Sequence, residues 1–368
     1  MNPLNPTRQL HDLGQSLWLD NITRGLLSSG TLSRYITEFD ISGLTSNPTI
    51  FDHAMESANF YDEAIQQKAR SGLSGEALFF ELALEDLVRA ADLFRPVHDA
   101  TKGVDGWASL EVSPLLASDT AGTIAAAADL HERARRPNLF IKIPGTSAGL
   151  PAIEESIFAG VPINVTLLFS REQYIAAAEA YLRGIERRIA AGRDPRVASV
   201  ASIFVSRWDV AVNDKVTREL RNDLGIAVAQ RAYKAYRDLL AAPRWSKLAA
   251  AGAMPQRLLW ASTGTKDPRA SDVMYVEALA APDTINTMPD KTLLAFSDHG
   301  QVKDAMDPAG GDAEAVLAQF AQQGIDDQAL AADLQREGTE AFAKSWGVLM
   351  ARIAAKSILP HPQSSAAA

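Results

Sequence analysis

The sequence predicts a protein of the α/β class, a (β/α)8 TIM barrel with extra helices between its second and third strands and at its C-terminus. Short apolar runs alternate with longer helical patterns from near the start to beyond residue 280, and eight such runs fit within 368 residues. Charged and amide side chains recur at the C-terminal ends of those runs. Eight βα repeats in this length favour a closed barrel over a doubly wound sheet.

The first strand is read at residues 16–21 and the second at 43–47, just before Pro48. A helical stretch over 60–95 separates it from the third, at 107–112. Ser118-Asp119 then opens a helix read at 123–135, ahead of the fourth strand at 139–144. Pro144-Gly145-Thr146-Ser147-Ala148-Gly149 lacks the Gly-Lys-Ser/Thr ending of a phosphate-cradling loop, so it reads as a tight βα turn. After the fifth strand, 162–169, Ser170-Arg171-Glu172-Gln173 reads as a capping box. Tyr174, Ala178, Tyr181, Ile185 and Ile189 follow at helical spacing, with Arg183, Glu186, Arg187 and Arg188 on the other side. The remaining strands are read at 197–205, 257–263 and 284–288, and Asp298-His299-Gly300 as a surface turn. Leu330, Leu334, Phe342, Trp346, Leu349 and Ile353 form the apolar stripe of the C-terminal helical region. One barrel domain is expected over 1–359 and a disordered tail over 360–368.

Composition narrows the function classes. The chain is 47% hydrophobic with a formal net charge of −9, so nucleic acid and anionic membrane are poor partners. It has no cysteine, which removes disulfides, thiolate nucleophiles and zinc–thiolate sites. Its six histidines show no His-x-x-x-His spacing, and no carboxylate cluster resembles a metal cage. The start lacks the basic-then-apolar order of a signal peptide, and no apolar run is long enough to span a bilayer. A cytoplasmic protein is expected, as a monomer or a homodimer. Trp107, Trp208, Trp245 and Trp260 read as packing residues.

Lys142 is the most informative residue. It lies inside the apolar run Asn138-Leu139-Phe140-Ile141-Lys142-Ile143-Pro144, which offers its charge no neighbour of opposite sign. A lysine drawn out of water can act as a neutral nucleophile and form an imine with a carbonyl. At an unperturbed pKa near 10.4 only about one lysine in a thousand is neutral at physiological pH, and lowering it by roughly three units costs about 4 kcal/mol, within what burial supplies. A strand lysine that blocks edge pairing or snorkels to the surface has the same local sequence.

The strand ends separate these readings. Asp20 ends strand one, Asn47 strand two, Glu111 strand three and Lys142 strand four. Asn164 and Thr166 share one face of strand five. Ser202 lies on strand six with Arg207 just beyond it, and Ser262 on strand seven precedes Thr263-Gly264-Thr265-Lys266. Charged groups pointing into a barrel are expensive unless paired, so an Asp, a Glu and a Lys converging on one mouth suggest catalysis. A structural ion-pair network is the competing reading.

At these residues the sequence resembles the transaldolases of the longer bacterial type. The resemblance rests on Gly43-Leu44-Thr45-Ser46-Asn47-Pro48-Thr49-Ile50-Phe51, Ser109-Leu110-Glu111-Val112, Phe140-Ile141-Lys142-Ile143-Pro144, Ile163-Asn164-Val165-Thr166-Leu167-Leu168-Phe169 and Ser202-Ile203-Phe204-Val205-Ser206-Arg207. It implies a Schiff-base barrel, needing no metal or cofactor, that moves a dihydroxyacetone unit between sugar phosphates in the pentose phosphate pathway. Lys142 would then form the imine, Asp20 would take the proton of the donor's C4 hydroxyl, and Glu111 and Thr166 would hold a proton-shuttling water. Asn47, Asn164 and Ser202 would hold the three-carbon unit. Arg207 and Ser262 would bind phosphate. One departure is visible: shorter family members carry a second phosphate-binding arginine where this chain has Gly264, and the nearest cation is Lys266, which is assigned that role here. An aldolase that releases free dihydroxyacetone, and a non-catalytic sugar-phosphate sensor, are the alternatives; the sensor would not need Lys142 and Asp20 together.

Overall fold

The structure is a computed structural model and describes residues 5–57 and 59–358; the tail expected at 360–368 lies outside them. Eight parallel strands are present: β1 Ser16–Leu19, β2 Ile41–Leu44, β3 Ala108–Glu111, β4 Leu139–Pro144, β5 Ile163–Leu168, β6 Ser199–Phe204, β7 Gln256–Ala261 and β8 Ile285–Met288. They pair in the order β2-β1-β8-β7-β6-β5-β4-β3. Between β2 and β3 a parallel bridge joins Gly43 to Trp107, and the Leu44 N–H donates to the Trp107 carbonyl at 2.9 Å. The sheet closes on itself as the expected barrel. Every strand residue is buried, because the helices cover one face and the barrel interior the other.

Alternation along the strands fills the interior in layers. Phe140 and Lys142 share the inward face of β4, and Trp18 points inward from β1. Trp18 and Phe140 lie 6.1 Å apart, and Trp107 stacks on Phe140 at 4.0 Å. This aromatic plug occupies the barrel's lower half, and the indole N–H of Trp18 donates to Asp105 at 2.8 Å. Gly43 makes room for it: a Cβ there would stand 2.6 Å from the Trp18 ring. Below the plug Arg257 donates to the Ser16 hydroxyl at 2.6 Å and to the carbonyls of Thr284 and Val104 at 2.8 and 3.1 Å.

Several boundaries differ from the sequence reading, for local reasons. β1 stops at Leu19 and β2 at Leu44, so Asp20 and Asn47 lie just past their strands. The helix after β3 runs Thr120–Ala134, not 123–135: Asp119 caps it by accepting from the Gly122 N–H at 2.9 Å, and Arg135 ends it in a left-handed conformation. Asp298-His299-Gly300 is no free turn but the end of the helix Asp290–His299. The capping box is as read, with Ser170 and Gln173 bonding each other's backbone. All four tryptophans read as packing residues are buried.

Between β2 and β3 lie helices Pro48–Ser57, Asp62–Arg70 and Gly75–Ala100, and the chain's last described helix is Asp327–Ser357. That C-terminal helix crosses toward the barrel mouth. Trp346 packs edge-on against Phe79 at 4.8 Å, and its indole N–H donates to Glu76, which also accepts from Ser113 beyond β3. Arg352 and Lys356 pair with Asp52 and Asp62 at 2.7 and 2.5 Å.

Candidate active site

A cavity of about 410 Å³ opens at the C-terminal end of the barrel. Asp20, Asn47, Lys142, Thr166, Ser202, Arg207, Ser262 and Lys266 line it. Glu111 and Asn164 are not in its lining but flank Lys142 in the sheet: Glu111 pairs with Lys142 across β3 and β4, and Lys142 with Asn164 across β4 and β5. These three inward side chains form one row over three adjacent strands.

Lys142 is 5% exposed and Glu111 4%. The Lys142 ammonium lies 3.4 Å from the Glu111 carboxylate and donates to the Ser46 carbonyl at 2.9 Å. The sequence offered this lysine no opposite charge; the fold supplies one. Burial raises the Glu111 pKa above the ordinary carboxylate range, and Lys142 opposes that rise without cancelling it. Among the described residues neither Glu111 oxygen has a hydrogen-bond partner of good geometry, nor has the buried Thr166 hydroxyl.

Asp20 keeps part of its surface open to the cavity, yet the barrel wall desolvates its carboxyl and raises its pKa. The bond donated by the Thr45 hydroxyl at 2.6 Å, and then the charge of Lys142, act in the opposite sense. Thr45 and Thr287 share a second bond at 2.8 Å, so Asp20 is held from two strands. Asn164 is fixed on both sides, accepting from Ser202 at 2.7 Å and donating to Ser109 at 3.3 Å. Asn47 accepts from the Ile50 N–H at 3.0 Å at the start of Pro48–Ser57, which leaves its amide nitrogen for the cavity.

Arg207 stands on the far wall, on the short helix Ser206–Val212 that follows β6. Its guanidinium lies 5.1 Å from the Phe204 ring centre and 5.8 Å from that of Phe342. Among the described residues it has no ion-pair or hydrogen-bond partner, and burial lowers its pKa. Ser262, in left-handed backbone at φ 58°, shares a hydrogen bond with Ser206 at 2.9 Å. Lys266 is exposed, and its Nζ lies 3.7 Å from where a Cβ on Gly264 would stand. Its ammonium therefore covers the place a side chain at 264 would start from.

The sequence reading missed Thr45, Thr49, His53, Phe204, Thr287 and Phe342 in the lining. Thr45, Phe204 and Thr287 were within reach of the two-residue alternation that pairs Gly43 with Thr45, Ser202 with Phe204 and Ile285 with Thr287. His53 and Phe342 come from helices, and no strand periodicity points to them. Among the described residues no three His, Asp or Glu side chains converge to hold a metal ion.

A family model described as transaldolase/fructose-6-phosphate aldolase matches residues 17–353. The chain belongs to that family. A protein named transaldolase from Arthrobacter sp. (strain FB24) is 44% identical over 354 residues, covering 94% of this chain and 95% of that protein. The transaldolase of Thiobacillus denitrificans is 44% identical over 358 residues, covering 95% of this chain and all of its own length. Transaldolase 2 of a Nostoc species is 39% identical over 98% of this chain and 99% of that protein. The protein is thus a transferase of the transaldolase family, and the Schiff base and the pentose phosphate pathway follow from that membership.

Proposed function

We propose that the protein moves a dihydroxyacetone unit from sedoheptulose 7-phosphate or fructose 6-phosphate to glyceraldehyde 3-phosphate or erythrose 4-phosphate, with Lys142 as the imine-forming residue. The observation that carries this reading is the Lys142 nitrogen 3.4 Å from Glu111, in a cavity that Asp20 and Arg207 also line. Burial makes Glu111 a better proton acceptor than a free carboxylate, so a proton passed from Nζ to Glu111 leaves a nucleophilic amine beside a neutral acid. The amine attacks the donor's ketone. Glu111 and Thr166, both with unsatisfied oxygens, then hold the water that carries protons as the carbinolamine dehydrates.

Asp20 takes the proton from the C4 hydroxyl as the C3–C4 bond breaks. The electron pair left on C3 delocalises into the iminium as an enamine. Asn47, Asn164 and Ser202 hold the hydroxyls of that three-carbon unit until the acceptor aldehyde arrives. Asp20 then returns a proton to the new C4 oxygen, and hydrolysis frees Lys142. Arg207, with no ion-pair or hydrogen-bond partner among the described residues, binds the terminal phosphate with Ser262, and Lys266, in the same lining, serves as a second cation for that group. No helix among the described residues is long and apolar enough to cross a membrane.

Borohydride reduction with fructose 6-phosphate, followed by peptide mapping, tests the assignment. The adduct should fall on Lys142 alone. Label on another lysine, or none, would overturn it. Product analysis with and without erythrose 4-phosphate tests the transfer: release of free dihydroxyacetone at an undiminished rate would make the enzyme an aldolase.

A further inference from the structure

We infer that Gly338, on the C-terminal helix Asp327–Ser357, is a positioning residue that sets the reach of Arg207 and so the preference for phosphorylated substrates. The inference rests on the reading of Arg207 as the phosphate-binding cation. Gly338 is buried in the interior of a 31-residue helix, where glycine weakens the helix relative to alanine. A glycine kept there needs a local cause, and packing supplies one. A Cβ at 338 would stand 3.0 Å from Arg207 Nη1, 3.0 Å from Leu167 Cδ2 and 3.7 Å from Phe169 Cζ. The guanidinium lies directly against the bare helix backbone, between the rings of Phe204 and Phe342.

The helix cannot retreat to relieve a larger residue. One turn earlier the Gln335 amide donates to the Leu167 carbonyl at 2.9 Å and to the Gly145 carbonyl at 3.1 Å. These carbonyls belong to the chain just past Thr166 and Lys142. One turn later Phe342 lines the cavity. Leu167 is itself constrained, in left-handed backbone at φ 57°. A methyl group at 338 would therefore press on Leu167 Cδ2 and on the guanidinium, which no ion pair or hydrogen bond holds among the described residues, and would move the guanidinium toward the cavity by a few tenths of an ångström. A shift of that order at a positioning group costs roughly fourfold where a full ångström costs about a hundredfold.

Gly338→Ala separates this role from a structural one, because alanine favours the helix. The thermal midpoint should stay level or rise, while KM for fructose 6-phosphate rises roughly fourfold. Half-saturation of borohydride labelling by dihydroxyacetone, which has no phosphate, should not change. Arg207→Ala is measured in parallel. If Arg207→Ala raises KM and Gly338→Ala does not, the inference falls and the Arg207 reading stands. If neither raises it, the Arg207 reading falls and takes this inference with it. A lowered midpoint, or weaker labelling by dihydroxyacetone, would show that Gly338 serves packing in general and would also overturn it.

Discussion

Lys142 and Glu111 are nearly sealed from water, so their charges depend on each other more than on solvent. Removing the lysine tests both the chemistry and this dependence. Lys142→Ala should fold and show no measurable turnover; Lys142→Arg should fail equally, because a guanidinium does not deprotonate. In Lys142→Ala the buried Glu111 loses its cation and its pKa, already raised, rises further. A carboxyl whose folded pKa exceeds its unfolded value holds its proton better when folded, so its stabilising contribution is full at low pH and disappears as pH rises through the folded pKa. The variant should therefore lose thermal stability relative to the wild type as pH rises above the ordinary carboxylate range, and a pH-independent difference would break the coupling argued here. Asp20 gives a second test. Its pKa is raised too, so the acid limb of kcat should lie above the ordinary carboxylate range, and Asp20→Asn should lower kcat by about 10²–10⁴. A variant within tenfold of the wild type would remove Asp20 from proton transfer. Lys142 was legible because its own heptapeptide is apolar; its partner was not, since Glu111 lies 31 positions earlier and only the β3–β4 register brings the two together.

At the scale of the element, the helix Ser206–Val212 holds Arg207 toward the cavity because Asp209 anchors its other face. The Asp209 carboxyl accepts from the N–H groups of Leu224 and Gly225 at 3.0 and 3.3 Å and from the Tyr275 hydroxyl at 2.6 Å. It thus caps the following helix, Leu224–Ala241, and ties it to the segment after β7. Burial pushes the Asp209 pKa up to about 6 although all three donors favour the charged form. The folded pKa exceeds the unfolded one, so stability attributable to Asp209 is greatest below about pH 4 and declines until the group is ionised above about pH 6. Asparagine does not titrate. Unfolding free energies of wild type minus Asp209→Asn should therefore fall by about 3 kcal/mol between pH 4 and pH 7 and then level off; a difference that grew with pH would show the carboxylate to be stabilised by its donors more than it is penalised by burial. The sequence revealed the Ser170–Gln173 capping box because its partners are three residues apart. Asp209 caps a helix starting 15 residues later, a distance at which no local pattern exists.

At the scale of the molecule, the barrel divides its work between two ends: a reactive mouth above the aromatic plug and a seal below it. The eight strands were legible as apolar runs because parallel strands buried on both faces carry little else, and the mouth because polar residues interrupt those runs at their C-terminal ends. The C-terminal helix's contribution to the mouth was not legible: its apolar stripe announces packing, while Phe342 reaches the cavity only because the chain folds back across the barrel. Arg257 tests the division of labour. Among the described residues it is a buried cation without a carboxylate in contact, held by the Ser16 hydroxyl and the carbonyls of Thr284 and Val104, and so it joins β7 to β1, to the entry of β8 and to the loop before β3. Hydrogen bonds to a charged group contribute roughly 1.5–3 kcal/mol each, and relief of its desolvation offsets part of that sum. Arg257→Leu should cost about 2–4 kcal/mol and lower the thermal midpoint by several degrees. Arg257, near the start of β7, lies four residues below Ala261 at its mouth end, roughly 13 Å, beyond the range at which substitutions usually couple. Below the melting transition kcat and KM should therefore match the wild type. A large loss of kcat in a variant that remains folded would mean that the plug transmits strain from the seal to Lys142, and the two ends would not be independent.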